Sequence, residues 1–281
     1  MTADAAQVCG ASADAVGPAP RSKNAMKPHL TLEVCVDSVE SALAAQAAGA
    51  DRIELCQALF EGGLTPSAGL MEEVRARVSL TLAVMIRPRG ADFCYSDGEF
   101  AVMRRDLLVA RKSGADVIVL GLLNPDGTID RERTRELLEL ARPQPVTFHR
   151  AFDMTRDPRE ALETLIDLGV DRVLTSGQER SALEGLDLIA EFVRLAGDRI
   201  VVMPGGGITE RNLPKILRQS GAREFHVSAS STRESRMTFR NPRVAMGRQV
   251  GPPEYQLSVA GEARIRAFRD LADRASEWPG A

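Results

Sequence analysis

Aromatic residues are scarce, with Phe, Trp and Tyr together making up 4% of the 281 residues. With so few stacking platforms and no basic stripe, no nucleic-acid partner is expected. Long apolar runs are missing as well. None approaches the roughly 20 residues that cross a bilayer, so no membrane partner is expected. The four cysteines, Cys9, Cys35, Cys56 and Cys94, form no C-x-x-C pair, which removes the signature of zinc ribbons and thioredoxin-like redox motifs. No H-E-x-x-H occurs. The opening Met1-Thr2-Ala3-Asp4 is not a basic segment running into an apolar one, so a secretory signal is not expected. The expected location is therefore cytoplasmic, where thiols stay reduced. The cysteines are then core fillers, metal ligands or nucleophiles. Charge is nearly balanced, 36 Lys and Arg against 39 Asp and Glu, for a formal net charge of −3.

What is present is a regular alternation. Residues 1–27, rich in Ala, Gly, Pro and Ser, show no sustained periodicity and read as a disordered tail. From there to residue 281 the chain reads as one domain. Short apolar runs at Leu30–Val36, Arg52–Leu55, Leu80–Ile86, Val117–Leu120, Val146–His149, Arg172–Thr175, Ile200–Met203 and Phe225–Val227 are candidate strands. Helical patterns lie between them, clearest at Ser38–Ala48, Gly98–Lys112, Asp130–Ala141, Pro158–Leu168, Ala182–Leu195 and Glu210–Gln219, with a last one at about Val259–Ala275.

An internal repeat sharpens the topology. Gly49-Ala50-Asp51-Arg52-Ile53 resembles Gly114-Ala115-Asp116-Val117-Ile118, and Gly169-Val170-Asp171-Arg172-Val173 and Gly221-Ala222-Arg223-Glu224-Phe225 echo both. The Gly closes a helix in a left-handed cap and the apolar run enters the next strand. Because the motif marks only the even strands, its unit is two strands and two helices. Four such quarters predict a single closed (β/α)₈ barrel of the TIM type. An open doubly wound sheet would hold eight strands without needing four similar quarters.

Strand parity then sorts side chains, since the outer face must pack under helices. Leu32, Val34 and Val36 go outward, leaving Glu33 and Cys35 inside. By the same rule Glu54, Cys56, Met85, Arg87, Thr147, His149, His226 and Ser228 point inward. A barrel interior is ordinarily layered with Val, Ile and Leu. Isolated buried ions are costly, so so polar a set implies mutual pairing, a ligand, or both. The loops at the same end are polar: Arg89 follows the third strand, Arg150 and Asp153 the fifth, and Ser176 the sixth. Gly205, Gly206 and Gly207 follow the seventh and lead into a helix, where exposed N–H groups suit an anion. Ser228–Pro253 lacks clear periodicity and reads as a lid or an interface segment.

Several of these stretches resemble the CutC copper-homeostasis family. They are Leu32-Glu33-Val34-Cys35-Val36, Asp51-Arg52-Ile53-Glu54-Leu55-Cys56, Glu61-Gly62-Gly63-Leu64-Thr65-Pro66, Asp92-Phe93-Cys94-Tyr95-Ser96 and Thr147-Phe148-His149-Arg150-Ala151-Phe152-Asp153. The resemblance runs from about Leu30 to the final helix. It implies a cytoplasmic barrel, a homodimer or higher homo-oligomer, with copper(I) held by Cys35 and Cys56 as metal ligands.

Two functions are therefore in play. In the first, Cys35 and Cys56, at equivalent ends of adjacent strands, bring two soft thiolates to one Cu(I) ion. Met85 and Cys94 are candidates to join them. Glu33 and Glu54 speak against it, since acidic neighbours disfavour thiolates, with Arg87 as the expected offset. In the second, the barrel is an enzyme for a small anionic ligand bearing phosphate or carboxylate. Glu33, Glu54, Arg87, Arg89, His149, Arg150, Asp153, Ser176, His226 and Ser228 then line its pocket, and Gly205–Gly207 bind the anion. No Lys falls at an inward strand end, so Schiff-base chemistry is disfavoured, and no organic cofactor is expected.

Overall fold

The computed structural model describes residues 29–244 and 255–275. Eight strands alternate with helices: β1 (Thr31–Val36), β2 (Arg52–Leu55), β3 (Thr81–Met85), β4 (Val117–Leu120), β5 (Val146–Phe148), β6 (Arg172–Thr175), β7 (Val201–Pro204) and β8 (Glu224–Val227). Neighbours pair in parallel from β7 through β1 to β8. A parallel bridge from Gly205 to His226 joins β7 to β8 and closes the ring. The (β/α)₈ barrel is thus present, with all eight expected strands. The tail at 1–27, with Cys9, lies outside the described residues.

The repeat explains how each quarter is locked. Gly49, Gly114, Gly169 and Gly221 all take positive φ, which stops a helix and turns the chain into an even strand. The following Asp then reaches the preceding odd strand. Asp51, Asp116 and Asp171 accept the backbone N–H of Leu32, Leu82 and Val146 at 2.7, 2.8 and 2.8 Å. Each of these carboxylates also meets an arginine, Arg269, Arg75 and Arg142 respectively.

The helices are α1 (Val39–Ala47), α2 (Ala68–Arg77), α3 (Asp97–Lys112), α4 (Arg131–Ala141), α5 (Pro158–Leu168), α6 (Leu186–Ala196), α7 (Leu213–Ser220) and α8 (Glu262–Asp273). Their apolar faces and the outward faces of the strands form one large core containing Leu32, Val34, Val36, Ile53, Leu55, Leu82 and Val84. A second, small cluster of Cys35, Cys56, Ala83, Met85, Val117 and Val119 fills part of the barrel interior. The parity expected from the sequence holds on β1, β2 and β3.

Three segments differ from expectation. Helix α2 shows weak periodicity because it buries only Met71 and Val74 among charged neighbours. Helix α6 starts later than Ala182, because the chain first packs backbone against backbone beside β6. A Cβ on Gly185 would lie 2.1 Å from the Ser176 carbonyl oxygen. Finally, β9 (Ser230–Glu234), within the aperiodic segment, pairs antiparallel with β10 (Gln256–Ala260), which lies beyond it and takes the start of the expected last helix, so α8 begins at Glu262. Residues 245–254, between those strands, lie outside the described residues.

Candidate functional site

The barrel interior carries a chain of charge that begins at its N-terminal end. The fourth position of the repeat supplies Arg52 on β2, Arg172 on β6 and Glu224 on β8. Glu224 accepts Arg52 Nη2 at 2.7 Å and Arg172 Nε at 2.6 Å. Arg52 Nε also donates to Glu33. The other oxygen of Glu33 meets His226 Nδ1 at 2.7 Å. Burial works against the Glu33 carboxylate, yet Arg52 and His226 hold it down at about 2. The offset expected from Arg87 is therefore supplied by Arg52, because β2 starts beside Glu33 in the β1–β2 register.

One step further toward the C-terminal mouth, the register sets Cys35 beside Glu54. Cys56 Sγ lies 3.8 Å from Cys35 Sγ and 3.4 Å from Glu54 Oε2. Cys35, Glu54 and His226 each place one ligand atom within 4.8 Å of the others. Both cysteines are buried. Burial also pushes the Glu54 carboxyl well up, and Glu54 Oε1 has no hydrogen-bond partner.

The acidic neighbours act as expected on Cys56, which Glu54 helps push up, but not on Cys35. The hydrogen bond shared with Cys56, opposed by burial and aided by His226, draws the Cys35 thiol down to about 6. Cys56 is pushed up instead, by that same shared bond and by burial. The imidazole of His226 is held well above its ordinary value despite burial, chiefly by Glu54, Cys35 and Glu33 around it. The Cys35 thiol, drawn down, thus sits with a histidine that is held up and hydrogen-bonded to the Glu33 carboxylate.

The remaining expected pocket residues separate into groups. Arg150 donates to Asp153 at 2.8 Å and to Ser176 Oγ at 2.7 Å, and a Cβ on Gly206 would lie 3.3 Å from its guanidinium. Arg150, Asp153, Ser176 and Gly206 thus form one cluster after β5, β6 and β7. Asp153 binds the backbone N–H of Ser176 and Gln178, so much of its capacity holds the loop. Gly205 N–H is taken by the Thr175 carbonyl. Arg89 faces neither group: it braces its own loop through Glu99 at 2.6 Å and the Cys94 carbonyl at 2.9 Å. Ser228 is exposed at the end of β8. Cys94 is half-buried and belongs to no three-residue ligand group among the described residues. Met85 stays with the two cysteines in the inner cluster.

Arg87 is buried and spends its two terminal nitrogens on loop carbonyls. Nη1 donates to Glu61 and Gly63, and Nη2 to Ala91. It thereby ties the turn after β2 to the loop after β3. That turn also covers the thiols, since a Cβ on Gly63 would lie 3.0 Å from Cys56 Sγ.

The CutC family model matches residues 30–231, which span β1 to the start of β9. The chain belongs to the CutC family. The copper homeostasis protein cutC homolog of Homo sapiens is 54% identical over 253 residues, covering 90% of this chain and 93% of that one. A CutC family protein of Mesorhizobium japonicum is 50% identical over 236 residues, 84% of this chain and 92% of its own. Among solved structures, a CutC copper homeostasis protein from Streptococcus agalactiae superposes with a TM-score of 0.68 at 33% identity. It covers 71% of this chain and 98% of that chain. Among the described residues no helix is long and apolar enough to cross a membrane.

Arg52, Arg172 and Glu224 were not anticipated as part of the site. The signal was in the repeat: its fourth position follows the Gly-x-Asp turn and shares parity with Glu54, so it had to enter the barrel.

Proposed function

We propose that this CutC-family chain is a cytoplasmic copper-homeostasis protein that binds Cu(I) between the thiolates of Cys35 and Cys56 and assembles as a homo-oligomer. The observation that carries the reading is the 3.8 Å separation of the two buried sulfurs. A metal–thiolate bond of roughly 2.3 Å, as for zinc, allows two sulfurs on one ion to stand up to about 4.6 Å apart. Soft thiolates favour Cu(I) over the harder divalent ions, and a reducing compartment supplies it.

The alternative donor set, Cys35 with Glu54 and His226, shares one sulfur with the proposed pair. It suits the ion less well. It would hold the ion through one thiolate, one carboxylate oxygen and the His226 Nε2 that lies 3.9 Å from Glu54, and carboxylate oxygen is a harder donor than Cu(I) prefers. Cys56 must give up its proton, but the soft metal rewards that loss, and binding releases the proton to solvent. Met85, in the same cluster, offers a thioether.

The test is an anaerobic Cu(I) titration against a chromophoric chelator. The unmodified chain takes one tight Cu(I), and Cys35→Ser and Cys56→Ser each weaken it by more than about tenfold, the scale of a lost thiolate ligand. Glu54→Gln leaves affinity within about threefold. A loss of about tenfold or more in Glu54→Gln with Cys56→Ser unchanged assigns the ion to the mixed set instead.

A further inference from the structure

On the β3–β5 side of the barrel mouth two buried side chains each keep one donor without an acceptor. His149 follows β5 and is 3% exposed; Arg87 follows β3 and is 6% exposed. His149 Nδ1 accepts the Ala151 N–H at 3.1 Å, so the neutral ring carries its proton on Nε2. That Nε2 has no hydrogen-bond partner, and neither has Arg87 Nε. The two groups flank one aromatic ring. The ring centroid of Phe93 lies 5.0 Å from that of His149 and 4.9 Å from the Arg87 guanidinium carbon.

Neither group is free to turn elsewhere. The His149 ring is pinned against the end of β4, where a Cβ on Gly121 would fall 2.5 Å from its Cε1. Arg87 is pinned by its three bonds to the carbonyls of Glu61, Gly63 and Ala91. A buried donor left unsatisfied costs free energy, and native chains rarely keep one without a partner that the protein alone does not supply. Two such donors beside one ring point to a shared acceptor.

We propose that His149 and Arg87, with Phe93 between them, bind a carboxylate group of a small organic acid at the β3–β5 side of the barrel mouth. The donor set selects the class. Arg87 offers only its Nε–H, because both terminal nitrogens are committed to the loops, and His149 offers one neutral N–H. Two single donors match the oxygens of a planar carboxylate better than the three oxygens of a phosphate, which calls for several convergent donors or a helix N-terminus. The half-buried Phe93 ring covers the apolar part of the acid. This site stands on strands other than β1, β2 and β8, and it does not depend on the copper reading.

The experiment uses the full metal-free chain with acetate and glycolate as probes, chloride at matched ionic strength, and inorganic phosphate as the competing oxyanion. Calorimetric titration reads affinity, and ¹⁵N-edited NMR of the imidazoles reads the His149 Nε2–H directly in the unmodified chain. The expected result is carboxylate binding that moves that resonance, with phosphate weaker. His149→Phe, which keeps the ring and removes the donor, weakens the carboxylate by about tenfold or more. The NMR measurement stands even where that variant folds poorly. Absence of any carboxylate response at the His149 resonance, tighter binding of phosphate, or unchanged affinity in a folded His149→Phe overturns the proposal. So does a crystal structure grown in acetate with only water at both nitrogens.

Discussion

Cys35 and Cys56 are 21 residues apart in sequence, yet their sulfurs lie 3.8 Å apart inside the barrel. The parallel register between β1 and β2 produces this. It pairs Cys35 with Glu54, and Cys56 follows two residues on, with the same parity, where β2 leaves the sheet. A slip of one residue in either strand would send one sulfur out under the helices.

The turn over the thiols provides a first prediction. Gly63 has φ of +89°, and a Cβ there would crowd Cys56 Sγ at 3.0 Å. Gly63→Ala is expected to lower stability by about 1–2 kcal/mol through backbone strain and crowding. It also weakens Cu(I) binding by displacing the Cys56 sulfur. Urea denaturation and chelator competition check the two effects separately.

Breaking the charge chain is expected to cost more than altering the thiols. Arg52 is nearly fully buried and is the only guanidinium bound to Glu33 among the described residues. Arg52→Met leaves the Glu33 carboxylate with His226 alone and is expected to destabilise the fold by about 3–5 kcal/mol, the usual cost of orphaning a buried charge. Adding Glu33→Gln in the same chain recovers part of that loss. The double-mutant cycle, read from urea midpoints, gives the coupling.

Acidification should weaken the fold through two buried groups of the same sign. Burial, with help from Arg87, holds His149 down at about 3, below its ordinary value of 6.5. The unfolded chain therefore takes up a proton on this residue that the folded chain refuses. Its contribution is complete above about pH 6.5 and is lost as pH falls toward 3. Glu33, held at about 2 against an ordinary 4.5, contributes fully above about pH 4.5 and is lost as pH falls toward 2. Each group sets a slope of at most about 1.4 kcal/mol per pH unit within its window. Glu54 and His226, both pushed up, act with the opposite sign, so the test is a difference: in urea melts at pH 7, 5.5 and 4.5, His149→Phe should gain stability relative to the unmodified chain as pH falls. An unchanged slope in that variant removes His149 from the explanation.

The barrel could be read from the sequence because each quarter repeats its own punctuation. Gly49, Gly114, Gly169 and Gly221 mark where helices stop, and apolar alternation on β1 to β3 separates the two faces. The inward placement of Glu33, Cys35, Glu54, Cys56 and His226 followed from the same parity. Partner choice did not. Parity gives the face a side chain occupies but not its height in the barrel, so Arg87 was expected to meet the acids when its guanidinium reaches outward to loop carbonyls. Arg52 reaches Glu33 because the stagger between β1 and β2 lowers the start of β2 to that level. The β9–β10 hairpin stayed hidden because its residues are largely exposed and so carry no apolar alternation.

Copper K-edge X-ray absorption on the anaerobic Cu(I)-loaded chain tests the thiolate centre most directly, since it counts the atoms bound to the ion. The account predicts at least two sulfur scatterers at roughly 2.3 Å, with one fewer in both Cys35→Ser and Cys56→Ser. A shell made of nitrogen and oxygen with a single sulfur, or a sulfur count that survives either substitution, would contradict it.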